Sequence, residues 1–118
     1  MVRIEQIAEA ALSGDSLLTR SLVQAFLRDE SYLAEIAKPE GVSPEILTVG
    51  AALLELFATR RAEPAPAWTA SVPPLDTPVF LLKSAVRMRH LRELCESEAP
   101  APLRQRNLYA PPNYLEMV

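Results

Sequence analysis

His90 and Cys95, the single histidine and the single thiol, are the residues from which nucleophilic or metal chemistry would have to be assembled. They stand five residues apart, so on a helix turning about 100° per residue they point about 140° from each other. That geometry is poor for a Cys–His nucleophile pair, which needs hydrogen-bond contact. A zinc site needs about three or four nitrogen and sulfur ligands, and the chain offers two. Three glycines in 118 residues do not supply a phosphate-cradling loop. Cys95 is read as a core-facing small hydrophobe and His90 as a surface or interface residue. No catalytic residue, metal ligand, cofactor or small-molecule substrate is assigned, and the chain is read as not an enzyme.

One specific enzyme idea is testable in the text. Small helical ribonucleases of the HEPN type carry an arginine, four to six residues and then a histidine. Here Arg87 and Arg89 lie too close to His90, and the residue at the right distance is Lys83, so the motif is absent. The acids Asp29 and Glu30, and Glu93, Glu96 and Glu98, are read as solvated helix faces or ends. Glu93 and Glu96 stand at helical spacing from Arg89 and Arg92, which accounts for them as ion pairs.

The basic segment carries more information. Between Asp76 and Glu93 there is no acid, while Lys83, Arg87, Arg89, His90 and Arg92 crowd into ten residues, with Arg104 and Arg106 following. On a continuous helix Lys83, Arg87 and His90 share a ridge and Arg89 and Arg92 point elsewhere. A nucleic-acid footprint concentrates on one face of a positive domain. This chain has a net charge of −3, so contact of Arg87, Arg89, Arg92, Arg104 and Arg106 with RNA or DNA is disfavoured against solvated arginines or an acidic protein surface.

The elements that must position these groups read as helices. From Arg3 to Leu12 apolar residues recur at three- and four-residue steps, and Gly14 and Asp15 stop this helix and start the next. The second helix, Ser16 to Arg28, is expected to bury Leu17 or Leu18, Leu22, Ala25 and Phe26. A short third one follows from Tyr32 to Ala37. Ser43, Pro44 and Glu45 then give a strong start signal. The segment to Arg61 is apolar in nearly every direction, interrupted mid-way only by Glu55, so it is the buried hub of the core. Gly50, Ala51 and Ala52 make a small-residue patch where another backbone could come close.

Nine of the 11 prolines lie between Pro64 and Pro112, so the second half is built differently. Residues 62–78 carry five prolines and cannot be regular helix. They predict an extended strap anchored by Trp68, Val72 and Leu75. A helix from Pro78, or from Ser84 after an extended 79–82 stretch, should end near Ser97 with Leu81, Met88, Leu91 and Cys95 on one side. A single turn over 103–107 precedes a tail rich in apolar residues: Leu108, Tyr109, Tyr114, Leu115, Met117 and Val118. The tail either folds over the central helix or docks in a partner's groove as a proline-stiffened arm. The divisions are 1–61, a helical core; 62–78, the strap; and 79–118, a basic helix and apolar tail, all in one all-α domain.

The strings PAWTASVPPLDTPVFLL and LRELCESEAPAPLRQRNLYAPPNYLE resemble a group of small uncharacterised bacterial proteins with a Trp-Thr after prolines and a closing Ala-Pro-Pro-Asn-aromatic-Leu-Glu. The resemblance covers about residues 62–117, carries no catalytic residues, and implies an antitoxin-like or accessory protein that accompanies a second protein. The leading expectation is therefore a protein-binding module with Trp68, Phe80, Tyr109, Tyr114 and Leu115 as anchors. It predicts that Trp68→Ala, or truncation after Asn107, abolishes partner capture with helical content intact. The rivals are a nucleic-acid regulator using the basic segment and a structural homo-oligomer, which follows from the Gly50–Ala52 patch and the amount of apolar surface. The N-terminus is no signal peptide and the longest apolar run is too short for a bilayer, so the expected place is the cytoplasm.

Overall fold

The computed structural model describes residues 2–29 and 32–116. Helix α1 spans Ile4–Ser13 and turns Ile4, Ile7, Ala8 and Ala11 inward. The Arg3 amide donates to Gln6 Oε1 at 2.8 Å, which satisfies one of the free donors at its start. Gly14 closes it at φ 76°, a left-handed conformation that favours glycine. A Cβ there would also lie 2.5 Å from the Lys83 stem, so a side chain at 14 would be strained and would have to displace the lysine. Asp15 Oδ1 then accepts from the Leu18 amide at 3.0 Å and starts α2, Ser16–Asp29.

Helix α2 corrects the expected register. Its buried residues are Thr19, Val23 and Phe26, while Leu17 and Leu18 are 84% and 47% exposed. The polar Thr19 can occupy a core position because its hydroxyl donates to the Asp15 carbonyl at 2.7 Å. With that residue inside, both leucines are rotated out. The expected third helix is only a 3₁₀ turn, Leu33–Glu35, with Leu33 fully buried and its amide donating to Glu63.

Helix α3, Pro44–Arg61, is the hub that its composition predicts. Ser43 Oγ accepts from the Ile46 amide at 3.2 Å, and every residue from Thr48 to Ala58 except Glu55 is buried. Phe57 meets Phe26 of α2 at 6.5 Å between ring centroids. The small patch is consumed internally: Gly50, Ala51 and Ala52 are buried, and Ile4 of α1 lies 3.5 Å from where a Gly50 Cβ would stand. The Gly50–Ala52 patch is thus covered within the chain.

The strap is folded onto this hub. Ala67–Ser71 forms a 3₁₀ turn, Trp68 Nε1 donates to the Ile36 carbonyl at 2.8 Å, and Thr48 of α3 donates to the Pro73 carbonyl at 3.2 Å. Beyond it the chain is not purely helical. Strand β1, Val79–Phe80, pairs in parallel with β2, Leu108–Tyr109, in the register Val79 with Leu108 and Phe80 with Tyr109. A parallel pair needs a crossover of a dozen or more residues, and helices α4 (Ser84–Arg87), α5 (Arg89–Glu98) and α6 (Ala101–Arg104) provide it. The all-α expectation therefore becomes mostly helical with one short parallel pair. An extended Met88 (φ −100°, ψ 103°) separates α4 from α5. The single ridge expected for Lys83, Arg87 and His90 is broken there, and Met88 is 57% exposed rather than packed beside Leu81.

The tail returns over the core, with Leu108, Ala110 and Tyr114 buried and the Arg60 guanidinium donating to the Tyr114 carbonyl. The radius of gyration, 13.2 Å, matches the roughly 13.5 Å of a compact domain of this length, so strap and tail add no protruding arm among the described residues. Met117 and Val118 of the expected tail lie outside those residues.

Candidate functional site

The structure turns most of the expected anchors inward. Trp68 is half-buried with its only polar hydrogen committed to Ile36. Tyr114 is 8% exposed, and burial pushes its phenol up to about 12. Leu115 is half-buried against the core cluster. Phe80 and Tyr109 remain partly accessible, side by side on β1 and β2 with ring centroids 5.5 Å apart. The Arg92 guanidinium lies 5.4 Å from the Phe80 centroid and its Nε is 3.0 Å from Glu96. With Pro78 these residues line a shallow cleft of about 310 Å³. Phe80, Tyr109 and Arg92 are thus the predicted residues that the fold brings together.

The basic set divides. Arg106 is a correction: it is 6% exposed, and no ligand outside the fold can reach it. Its Nη2 donates to Glu55 Oε2 at 3.0 Å and to the Thr69 carbonyl at 2.6 Å, while Nη1 binds the other Glu55 oxygen. The one acid inside α3 and the strap's backbone share this guanidinium, whose planar fork suits bidentate pairing. Its Nε has no hydrogen-bond partner among the described residues. Arg104 donates to the Ser97 carbonyl at the end of α5, and Arg89 pairs with Glu93 at 3.0 Å. Lys83, Arg87 and His90 are exposed. Cys95 is fully buried, and that burial raises its thiol, so it sits as an unreactive apolar group. Among the described residues no three His, Cys, Asp or Glu side chains gather as a metal site.

A second accessible region comes from residues that the sequence pattern assigned to the core. Ser16, Leu17, Thr19 and Arg20 face Leu82, Tyr114 and Leu115 across a groove of about 240 Å³. Lys83 lays its stem over Gly14 at the α1–α2 corner, which fixes the start of α4 beside the start of α2. Val86 of α4 is 63% exposed, and Met88 follows it. The adjacent pair Leu17-Leu18 carried the signal for this surface, because two consecutive helical leucines cannot both face one core. A wider cleft, about 810 Å³ between the start of α1 and residues 32–40, mixes the acids Glu5, Asp29, Glu35 and Glu40 with Arg3 and Lys38. It presents neither a thiol nor a histidine.

No family model matches the chain, and neither a curated protein nor a solved structure matches it. No helix among the described residues is long and apolar enough to cross a membrane.

Proposed function

We propose that this chain is a non-enzymatic protein-binding module whose contact face is formed by the start of α2, Leu82 and α4. In this reading it serves as an accessory or antitoxin-like subunit that accompanies a second protein. The observation that supports it is Leu17, 84% exposed at a groove that Leu82 and Leu115 also line, with Leu18 exposed beside it in α2 and Val86 and Met88 exposed on the segment that follows Leu82. Isolated exposed leucines are ordinary, whereas grouped ones beside a groove mark interaction surfaces. Of the expected anchors, Tyr114 and Leu115 line the groove beside this face, whereas Trp68 is tied to the Ile36 carbonyl. Phe80 and Tyr109 line a separate cleft.

The test compares the tagged full chain with a Leu17→Asp, Val86→Asp variant in capture from native lysate, with the solution mass of each measured by light scattering. Loss of one stoichiometric protein from the variant, with its circular dichroism unchanged, supports the reading. Unchanged capture by the variant, or capture of nothing by either chain, refutes it.

A further inference from the structure

We infer that the outer edge of β1 pairs with an extended segment of a partner protein. The segment adds a third strand and sets one apolar side chain beside the rings of Phe80 and Tyr109. This surface is separate from the α2–α4 face and does not depend on it.

The backbone of β1 is only half used. The Val79 amide donates to the Asn107 carbonyl at 3.0 Å and the Leu81 amide to the Tyr109 carbonyl at 2.9 Å. Both point toward β2, and successive residues of a strand alternate, so the N–H and C=O of Phe80 point the other way. Among the described residues the sheet holds only these two strands, and neither Phe80 group has a hydrogen-bond partner. Free backbone donors and acceptors along a strand edge are a template for another chain. Pro78 has no N–H and ends the row on one side, so the edge admits a short segment and resists open-ended stacking.

The side chains over this edge form a cleft. Phe80 stands in register with Tyr109, and their rings share one face of the sheet at 5.5 Å between centroids. A residue opposite Phe80 on an added strand stands on that same face, with its Cβ about 4.5–5.5 Å from that of Phe80. It borders the cleft of about 310 Å³ that Pro78, Phe80 and Tyr109 line together with Arg92 and Glu96. Arg92 and Glu96 are paired with each other at 3.0 Å, so the wall carries no net charge and a charged side chain would lose water there without gaining a partner. An apolar one covers the rings.

The two features together select the occupant. A helix satisfies its own backbone and would leave the Phe80 groups unmet. An extended segment meets both, since its main chain bonds the edge and an alternate side chain fills the pocket.

The experiment joins amide exchange, followed by NMR, with peptide selection on the full chain. In the free chain the Phe80 amide should exchange about tenfold or more faster than those of Val79 and Leu81. Short random peptides selected on the immobilised chain should slow that exchange when bound. N-methylation along the best peptide should weaken binding about tenfold at alternate positions and little between them, because only every second amide faces β1. Tyr109→Ala, with its fold checked by thermal melt, should weaken the same peptide by about as much; the N-methyl series decides the matter should that variant not fold. A Phe80 amide already protected in the free chain overturns the inference, as does the selection of no peptide or an N-methyl series without a period of two. Peptides lost on Leu17→Asp, Val86→Asp yet held by Tyr109→Ala overturn it and leave the α2–α4 face standing. Phe80 protection that appears only as the chain is concentrated, with a matching rise in solution mass, overturns it in favour of a second copy.

Discussion

The first half of the molecule, through Arg61, and the second half are held in place by different means. In the first, helices α1, α2 and α3 satisfy their own backbones and need only present apolar faces. In the second, prolines remove backbone donors and break helices, so side chains take over the hydrogen bonding. Trp68 reaches the Ile36 carbonyl, Thr48 reaches Pro73, Asn107 Nδ2 reaches the Leu75 carbonyl at 3.1 Å, and Arg106 holds Glu55 and Thr69 together. Each such bond depends on one residue, whereas a helix spreads its bonds over many. The second half should therefore fail at single points where the first yields gradually.

Truncation after Asn107 sharpens this contrast most. It deletes β2, the buried Leu108 and Tyr114, and the carbonyl that Arg60 holds. The shortened chain should lose cooperative unfolding altogether, as read by thermal melts. This outcome replaces the expectation that such a chain keeps its helical content and loses only its partner.

Breaking the central ion pair comes next. Arg106→Ala strands the Glu55 carboxylate, whose side chain is 21% exposed, and should cost about 3–5 kcal/mol in urea unfolding. Replacing both partners together, Arg106→Met with Glu55→Leu, should recover most of that loss, since an apolar pair leaves no stranded charge. A double variant as unstable as the single one would show that the Thr69 contact, not the ion pair, is what Arg106 supplies. Trp68→Ala follows, at roughly 2–4 kcal/mol, from lost packing and an unsatisfied Ile36 carbonyl. Full stability of that variant would return Trp68 to the surface as an anchor.

The smallest effect is at high pH. Burial raises the Tyr114 phenol from 10.0 to about 12, so the folded state resists ionisation that the unfolded chain accepts. Its stabilising share is fully present below pH 10 and is lost as pH rises through 12. Tyr114→Phe should reduce the drop over this window, leaving the share of the buried Cys95 thiol, measured by urea titration at pH 9 and pH 12. An unchanged pH dependence would place the tyrosine in water.

The legibility of the sequence follows the same division. Ser43 and Pro44, the all-round apolar α3 and the Gly14 stop were readable because local chemistry alone decides them. The α2 register was not, since Leu17-Leu18-Thr19 offers two apolar stripes and only the Asp15 carbonyl makes a buried threonine tolerable. Glu55 was visible as an interruption, yet its partner lies 51 residues away, beyond any periodicity. The β1–β2 pair is two residues long in each strand and leaves no alternation to detect. Of the aromatic residues taken as anchors, Trp68 and Tyr114 pack on the core while Phe80 and Tyr109 line a cleft, and Leu17 and Leu18, one of which the pattern assigned to the core, are both exposed.

The parallel pairing of Phe80 with Tyr109, like the Glu55–Arg106 and Arg60–Tyr114 contacts across 51 and 54 residues, bears on synthesis. Helices emerging first can form and meet early, but contacts of such separation close late and slowly. Until residues 106–114 have left the ribosome, α3 carries an unmatched Glu55 and an uncovered flank. During that interval the nascent chain presents chaperones with an apolar surface that the finished molecule hides.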